Sequence, residues 1–180
     1  MENSGYPWRP EDLKLFPDVA PCLKTLSAMG FLLLVVTNQS GVARGFFNLS
    51  DVYNFHRHLQ GRLLASGGRG FDSFYICPHL NRDGGGFAPG FAVDCNCRKP
   101  KPGLVEMAIR EFGLDVRQSV LIGDRDSDVE SGLKAGIGAN YQLLRPGSDE
   151  KPHAGAKGVG PDLAVLTTRI LSDAGQKLAK

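Results

Sequence analysis

Apolar residues return at two different intervals. Val19, Leu23 and Leu26 recur at helical spacing, behind Asp18 as a candidate N-cap and ahead of Gly30 as a stop. Residues 31–36 then form an unbroken apolar run, the mark of a strand covered on both faces of a parallel sheet. Residues 50–65 return to helical spacing through Val52, Phe55, Leu59 and Leu63, with Ser50 or Asp51 as the cap. A second strand is expected over 71–76. A helix follows over 102–112, with Leu104, Met107, Ala108 and Phe112 inward. Residues 120–122 read as a third strand. Residues 127–135 read as a helix with Val129 and Leu133 inward, stopped by Gly136, and 139–144 as a fourth strand. The spacing of Leu163, Leu166, Ile170 and Leu171 predicts a last helix over 162–178. Residues 1–17, with three prolines, read as loop, and the Gly/Pro/Lys-rich stretch 145–160 as a mobile linker. Strands alternating with helices predict an α/β fold: an open, mostly parallel sheet with helices on both faces and right-handed crossovers. The expected organisation is one domain over 1–145, followed by a linker and terminal helix over 146–180.

Composition narrows this further. A chain of 180 residues fits one core, and 42% hydrophobic against 22% charged residues argues against disorder. A net charge of +2 implies no nucleic-acid partner. The six-residue apolar run is too short to cross a bilayer, and no signal-peptide core precedes it, so the expectation is a cytoplasmic monomer without a membrane partner.

Cysteine placement adds chemistry. Cys77-Pro-His79 and Cys95-Asn-Cys97 bracket the glycine-rich segment 78–98, which is long for a loop and therefore needs a staple or a function. Three thiolates and one imidazole complete a tetrahedral Zn²⁺ shell with no open position, so the ion is expected to be structural. The alternative is three buried cysteines acting as small hydrophobes beside a surface histidine. Cys22 lies on an apolar helix face and is read as packing.

Three polar sets follow the predicted strands and their connecting loop: Thr37-Asn38-Gln39-Ser40-Gly41, Arg98-Lys99-Pro100, and Gly123-Asp124-Arg125-Asp126-Ser127-Asp128. Ligands of open α/β sheets bind outside the carboxyl ends of the strands, where these sets would converge. The Thr37 hydroxyl and nearby N–H groups, with Asn38 and Gln39, suit phosphate oxygens, and Lys99 suits the charge of a transferring phosphoryl group. Asp124 is a hard oxygen ligand for Mg²⁺; Asp128 completes the metal shell or orients Lys99. Arg98 and Arg44 suit a second anionic group. Simpler readings stand beside these: Thr37-Asn38 as a turn, Asp126 as a helix cap, Arg44 as a solvated side chain.

Together the stretches VVTNQSGVARG (35–45), CPH (77–79), CNCRKPKPG (95–103) and IGDRDSD (122–128) resemble the haloacid-dehalogenase (HAD) phosphatases of the D-glycero-D-manno-heptose 1,7-bisphosphate phosphatase and histidinol-phosphatase group. Gly5-Tyr6 and Pro10-Glu11-Asp12 resemble the segment after that family's first motif. The resemblance implies that Thr37 is the second-motif phosphate ligand, Lys99 the third-motif lysine, and Asp124 and Asp128 the fourth-motif carboxylates. It implies that Arg44 and Arg98 meet the sugar's other phosphate, and that Cys77, His79, Cys95 and Cys97 hold zinc. The long loop between His79 and Cys95 is more similar to the heptose enzyme, which implies Mg²⁺-dependent removal of the 7-phosphate within lipopolysaccharide precursor synthesis.

One feature of that family is missing. Its members begin with an apolar strand ending in Asp-x-Asp-Gly, whose first aspartate is phosphorylated and whose second works as acid and base. No such pair precedes Thr37 here; Glu2, Glu11, Asp12 and Asp18 stand isolated. Three expectations compete: a natural start 10 to 20 residues upstream, which is favoured, a non-catalytic sugar-phosphate-binding relative, or a strand borrowed from a partner chain. A histidinol-phosphate phosphatase is the remaining substrate alternative.

Overall fold

The computed structural model describes residues 6–178; Glu2 and Gly5 lie outside the described residues. It divides into two compact units, residues 1–98 and 99–180.

In the first unit, a 3₁₀ turn at Pro10–Asp12 precedes α1 (Val19–Ala28), β1 (Leu34–Asn38), α2 (Leu49–Ala65) and β2 (Ser73–Cys77). β1 and β2 pair in parallel, with Thr37 opposite Ile76 and Asn38 opposite Cys77. β1 starts three residues later than the apolar run suggests and takes Thr37 and Asn38 into the strand. The reason is local: Leu33 donates its N–H to the Asp72 carboxylate at 2.7 Å and accepts from Asp72 N–H, while Leu32 is 48% exposed. Asp18 occupies the N-cap of α1, but its side chain makes no cap bond. Asn48, rather than Ser50 or Asp51, caps α2: its side chain accepts from Asp51 N–H and Asp51 accepts from Asn48 N–H. Val42, Phe47 and Val52 form a core cluster on which Tyr6, Trp8, Ile76 and Phe91 pack. Cys22 is buried, as its helix face requires.

The second unit holds α3 (Gly103–Phe112), β3 (Val120–Gly123), α4 (Asp126–Lys134), β4 (Ala139–Leu143), β5 (Gly158–Gly160) and α5 (Leu163–Leu178). β3, β4 and β5 run parallel in that order. β5 falls where a linker was expected: a three-residue glycine-rich strand carries no periodic signal, yet it pairs with Tyr141, Gln142 and Leu143. α3 buries Leu104, Val105 and Ala108 and leaves Met107 44% exposed; α4 buries Val129 and leaves Leu133 45% exposed. Both outward residues sit at the margin of a wide apolar stripe, where spacing alone does not fix the side. Among the described residues no helix is long and apolar enough to cross a membrane.

Candidate active site and metal centre

β2 ends at Cys77, and the loop beyond it folds back so that the ligand atoms of Cys77, His79, Cys95 and Cys97 lie within 4.8 Å of one another. The three sulfurs are 3.2, 3.2 and 3.6 Å apart, and His79 Nδ1 is 3.2 Å from Cys97 Sγ. Zn–S bonds of about 2.3 Å place tetrahedral sulfurs about 3.8 Å apart, so the cluster is compatible with zinc, His79 ligating through Nδ1. Burial, followed by a hydrogen bond with Cys97, pushes the Cys77 thiol up. Burial works against the Cys95 thiolate too, but hydrogen bonds from Cys97 and Cys77 outweigh it and hold its pKa low. Arg98 lies on the same framework, its Nη1 donating to His79 O at 3.3 Å.

The loop after β1 carries the remaining anion-binding candidates of this unit. Gln39 N–H donates to Cys77 O at 2.7 Å, and Gln39 Nε2 donates to Thr37 Oγ1 at 3.1 Å. Asn38 closes β1 beside them. Arg44 Nη2 donates to Gly84 O at 2.8 Å, which ties the two loops together, while its buried Nε has no partner among the described residues. Arg44 is therefore a placed cation with an unmet donor, not a solvated side chain.

In the second unit the acidic loop after β3 is organised by Asp128. Its Oδ2 accepts from the N–H groups of Asp124 and Arg125, both at 3.1 Å, and its Oδ1 meets Lys99 Nζ at 2.7 Å. The Lys99 and Asp128 side chains are only 11% and 9% exposed. Both oxygens of Asp128 are thus engaged, one with Lys99 Nζ and the other with the Asp124 and Arg125 N–H groups. Gly123 permits it, since a methyl there would lie 2.1 Å from Asp128 Cβ. Asp126 is the first residue of α4 rather than its cap, a place held by Arg125.

Sequence reasoning missed Gln142. Fully buried, it donates to Asp126 Oδ1 at 3.2 Å and Lys151 O at 3.1 Å, and accepts from His153 N–H at 2.6 Å. It ties the acidic loop to residues 151–153, and its one signal is a second amide, after Asn140, within a five-residue strand. The Gly84-Gly85 turn around Arg44 was also missed and has no sequence signal beyond its glycines.

Residues 96–168 match the family described as HAD-hyrolase-like. The chain is 37% identical over 135 residues to the D-glycero-D-manno-heptose-1,7-bisphosphate 7-phosphatase of Thermosynechococcus vestitus, covering 75% of this chain and 69% of that one. It is 34% identical to the D-glycero-beta-D-manno-heptose-1,7-bisphosphate 7-phosphatase of Helicobacter pylori, covering 79% and 77%. Its fold is similar to the D,D-heptose 1,7-bisphosphate phosphatase of B. bronchiseptica complexed with magnesium and phosphate, with TM-score 0.77, 24% identity and 96% and 92% of the two chains covered. A HAD-like phosphatase of Mesorhizobium loti superimposes with the same TM-score at 28% identity, over 92% and 78%. The chain belongs to the D-glycero-D-manno-heptose 1,7-bisphosphate phosphatase family of HAD-like hydrolases.

Proposed function

We infer that this chain is the phosphoryl-binding body of a Mg²⁺-dependent phosphate-monoester hydrolase whose substrate is D-glycero-D-manno-heptose 1,7-bisphosphate and whose leaving group is the 7-phosphate. The observation that carries this is the Lys99–Asp128 pair, which fixes an ammonium beside the Asp124 loop. Relatives 34–37% identical carry the name of that activity. Asp124 would hold Mg²⁺, which when bound offsets the charge of the phosphoryl group. Lys99 neutralises the same group, and its short contact with Asp128 holds it in place. The Thr37 hydroxyl and the N–H groups of the following turn, with Asn38 and Gln39, hold phosphate oxygens; Arg44 and Arg98 take the second phosphate. Cys77, His79, Cys95 and Cys97 hold Zn²⁺ with every position filled by protein, so this ion supports the loop rather than the reaction.

Hydrolysis also needs a carboxylate to attack phosphorus and an acid to protonate the leaving oxygen. Asp128 is engaged through both oxygens and Asp126 Oδ1 accepts from Gln142 Nε2, and this reading assigns the nucleophile to neither. The 180 residues hold no Asp-x-Asp-Gly ahead of Thr37. Orthophosphate release with Mg²⁺ tests this reading, using the chain alone and the chain fused at its N-terminus to an apolar strand ending in Asp-x-Asp-Gly. The expected result is no turnover alone, turnover in the fusion, and faster release from the heptose bisphosphate than from histidinol phosphate. Turnover by the purified chain alone would defeat this division of labour. The missing motif favours one second reading, a sugar-phosphate-binding relative, which would bind the bisphosphate and stay inactive in both forms.

A further inference from the structure

Two loops leave the carboxyl ends of β1 and β2, and each presents an exposed aromatic ring close to Arg44 in the chain or in space. The first loop is tightly wound: Arg44, Gly45 and Phe46 donate N–H to the carbonyls of Ser40, Val42 and Gly41. The second is strapped to it by Phe87 and Ala88, whose N–H groups both donate to Ala43 O at 2.9 Å. That strap lays the Phe87 ring against Gly45, where a methyl would sit 3.6 Å from Phe87 Cε2. Neighbouring Phe47 and Phe91 serve the core, but Phe87 is 62% exposed and Phe46 42%. Tyr6 backs Phe46 with ring centroids 5.6 Å apart.

The cation next to Gly45 in the chain is also fixed in place. Arg44 donates to Gly84 O and keeps a buried Nε without a partner among the described residues. Gly85, at φ +88°, makes room for the guanidinium: a methyl there would lie 2.7 Å from Arg44 Nη1. A fixed guanidinium, with terminal N–H groups beyond the one given to Gly84 O, suits a phosphate. An exposed aromatic plane strapped beside it suits an apolar face of the same ligand, which in a cyclic sugar is the C–H face of the ring.

We propose that Phe87, assisted by Phe46, is a specificity-determining platform that reads the C–H face of a pyranose ring while Arg44 holds a phosphate attached to that ring. This rests on the sugar-bisphosphate reading above and adds what the site uses to tell a ring from an open chain. Isothermal titration of the 180-residue chain in Mg²⁺ with two probes tests it: D-mannose 1,6-bisphosphate, and 1,6-hexanediol bisphosphate, which carries two phosphates and no ring. The wild-type chain is expected to prefer the pyranose probe. Phe87→Ala should weaken that probe about five- to tenfold, the scale of one aromatic contact, and leave the acyclic probe unchanged. Phe87→Trp should keep the preference, and Phe87→Leu, which retains apolar bulk without a flat face, should lose it. An unchanged ratio in Phe87→Ala, or equal loss for both probes, overturns the platform. A wild-type chain that binds neither probe overturns the sugar-bisphosphate reading itself, and the platform with it.

Discussion

Asp128 serves two partners with one carboxylate, so its substitution separates charge from shape. Asp128→Ala takes from the nearly buried Lys99 the carboxylate at 2.7 Å and from the N–H groups of Asp124 and Arg125 their shared acceptor. A loss of about 3 kcal/mol is expected in urea unfolding. Asp128→Asn keeps the shape and should cost less, yet it should weaken orthophosphate binding because Lys99 is no longer oriented. Gly123→Ala reaches the same pair from the other side, its methyl meeting Asp128 Cβ at 2.1 Å. It should match Asp128→Asn in phosphate binding while every charge is kept; wild-type binding would show that Lys99 needs no such placement. His56 supplies a pH-dependent case. It is 8% exposed, stacked on Phe74 with ring centroids 4.4 Å apart, and its Nδ1 has no hydrogen-bond partner among the described residues. Burial holds its pKa below the ordinary value of 6.5. The unfolded chain therefore binds the extra proton first, and stability falls as pH drops below about 6.5. His56→Phe should flatten that part of the urea-midpoint profile; an unaltered slope between pH 7 and 5 would assign the loss to other groups.

At the level of elements, the loop between β2 and the second pair of cysteines depends on its two ends being joined. One zinc per chain is expected by elemental analysis, and Cys97→Ala should lower that content and raise hydrogen exchange and proteolysis across residues 80–94. A metal-free protein with an equally protected loop would refute the staple. This cluster was legible because its residues are rare and closely spaced in sequence, so chemistry alone grouped them. The helices were legible because their stripes repeat over several turns, although spacing put Met107 and Leu133 on the wrong side and passed over buried His56. β1 slid toward Thr37 and Asn38 because Asp72 captures Leu33, a contact 39 residues away in sequence that no local signal carries. The same limit hid Gln142 and the Gly84-Gly85 turn around Arg44. Each acts on a partner that only the folded chain brings near, whereas Lys99, Asp124 and Arg98 announce themselves through adjacent charged motifs.

For the molecule as a whole, burial is uneven across the strands and does not follow their apolar content. All five residues of β1 are half-buried, and three of four in β3, whereas four of five in β4, flanked by β3 and β5, are fully buried. β1 and β3 each stand at the end of their sheet. Parallel sheets of this class bury their strands on both faces, so Leu34, Val35 and Val36, or Val120 and Ile122, would gain from an apolar strand laid parallel beside them. The proposed reaction asks for a carboxylate at the end of such a strand. One fusion therefore tests both needs: an apolar N-terminal strand ending in Asp-x-Asp-Gly should raise stability and confer turnover. A net gain of about 2 kcal/mol would lift Tm by about 6 °C in a protein of this size. Replacing both aspartates of the fused strand by asparagine should keep the gain in Tm and abolish turnover, since packing depends on the apolar residues and chemistry on the carboxylates. Turnover without any gain in Tm would mean the strand acts from solution rather than from the sheet, and a gain in Tm without turnover would leave the body of the protein a binder of phosphosugars.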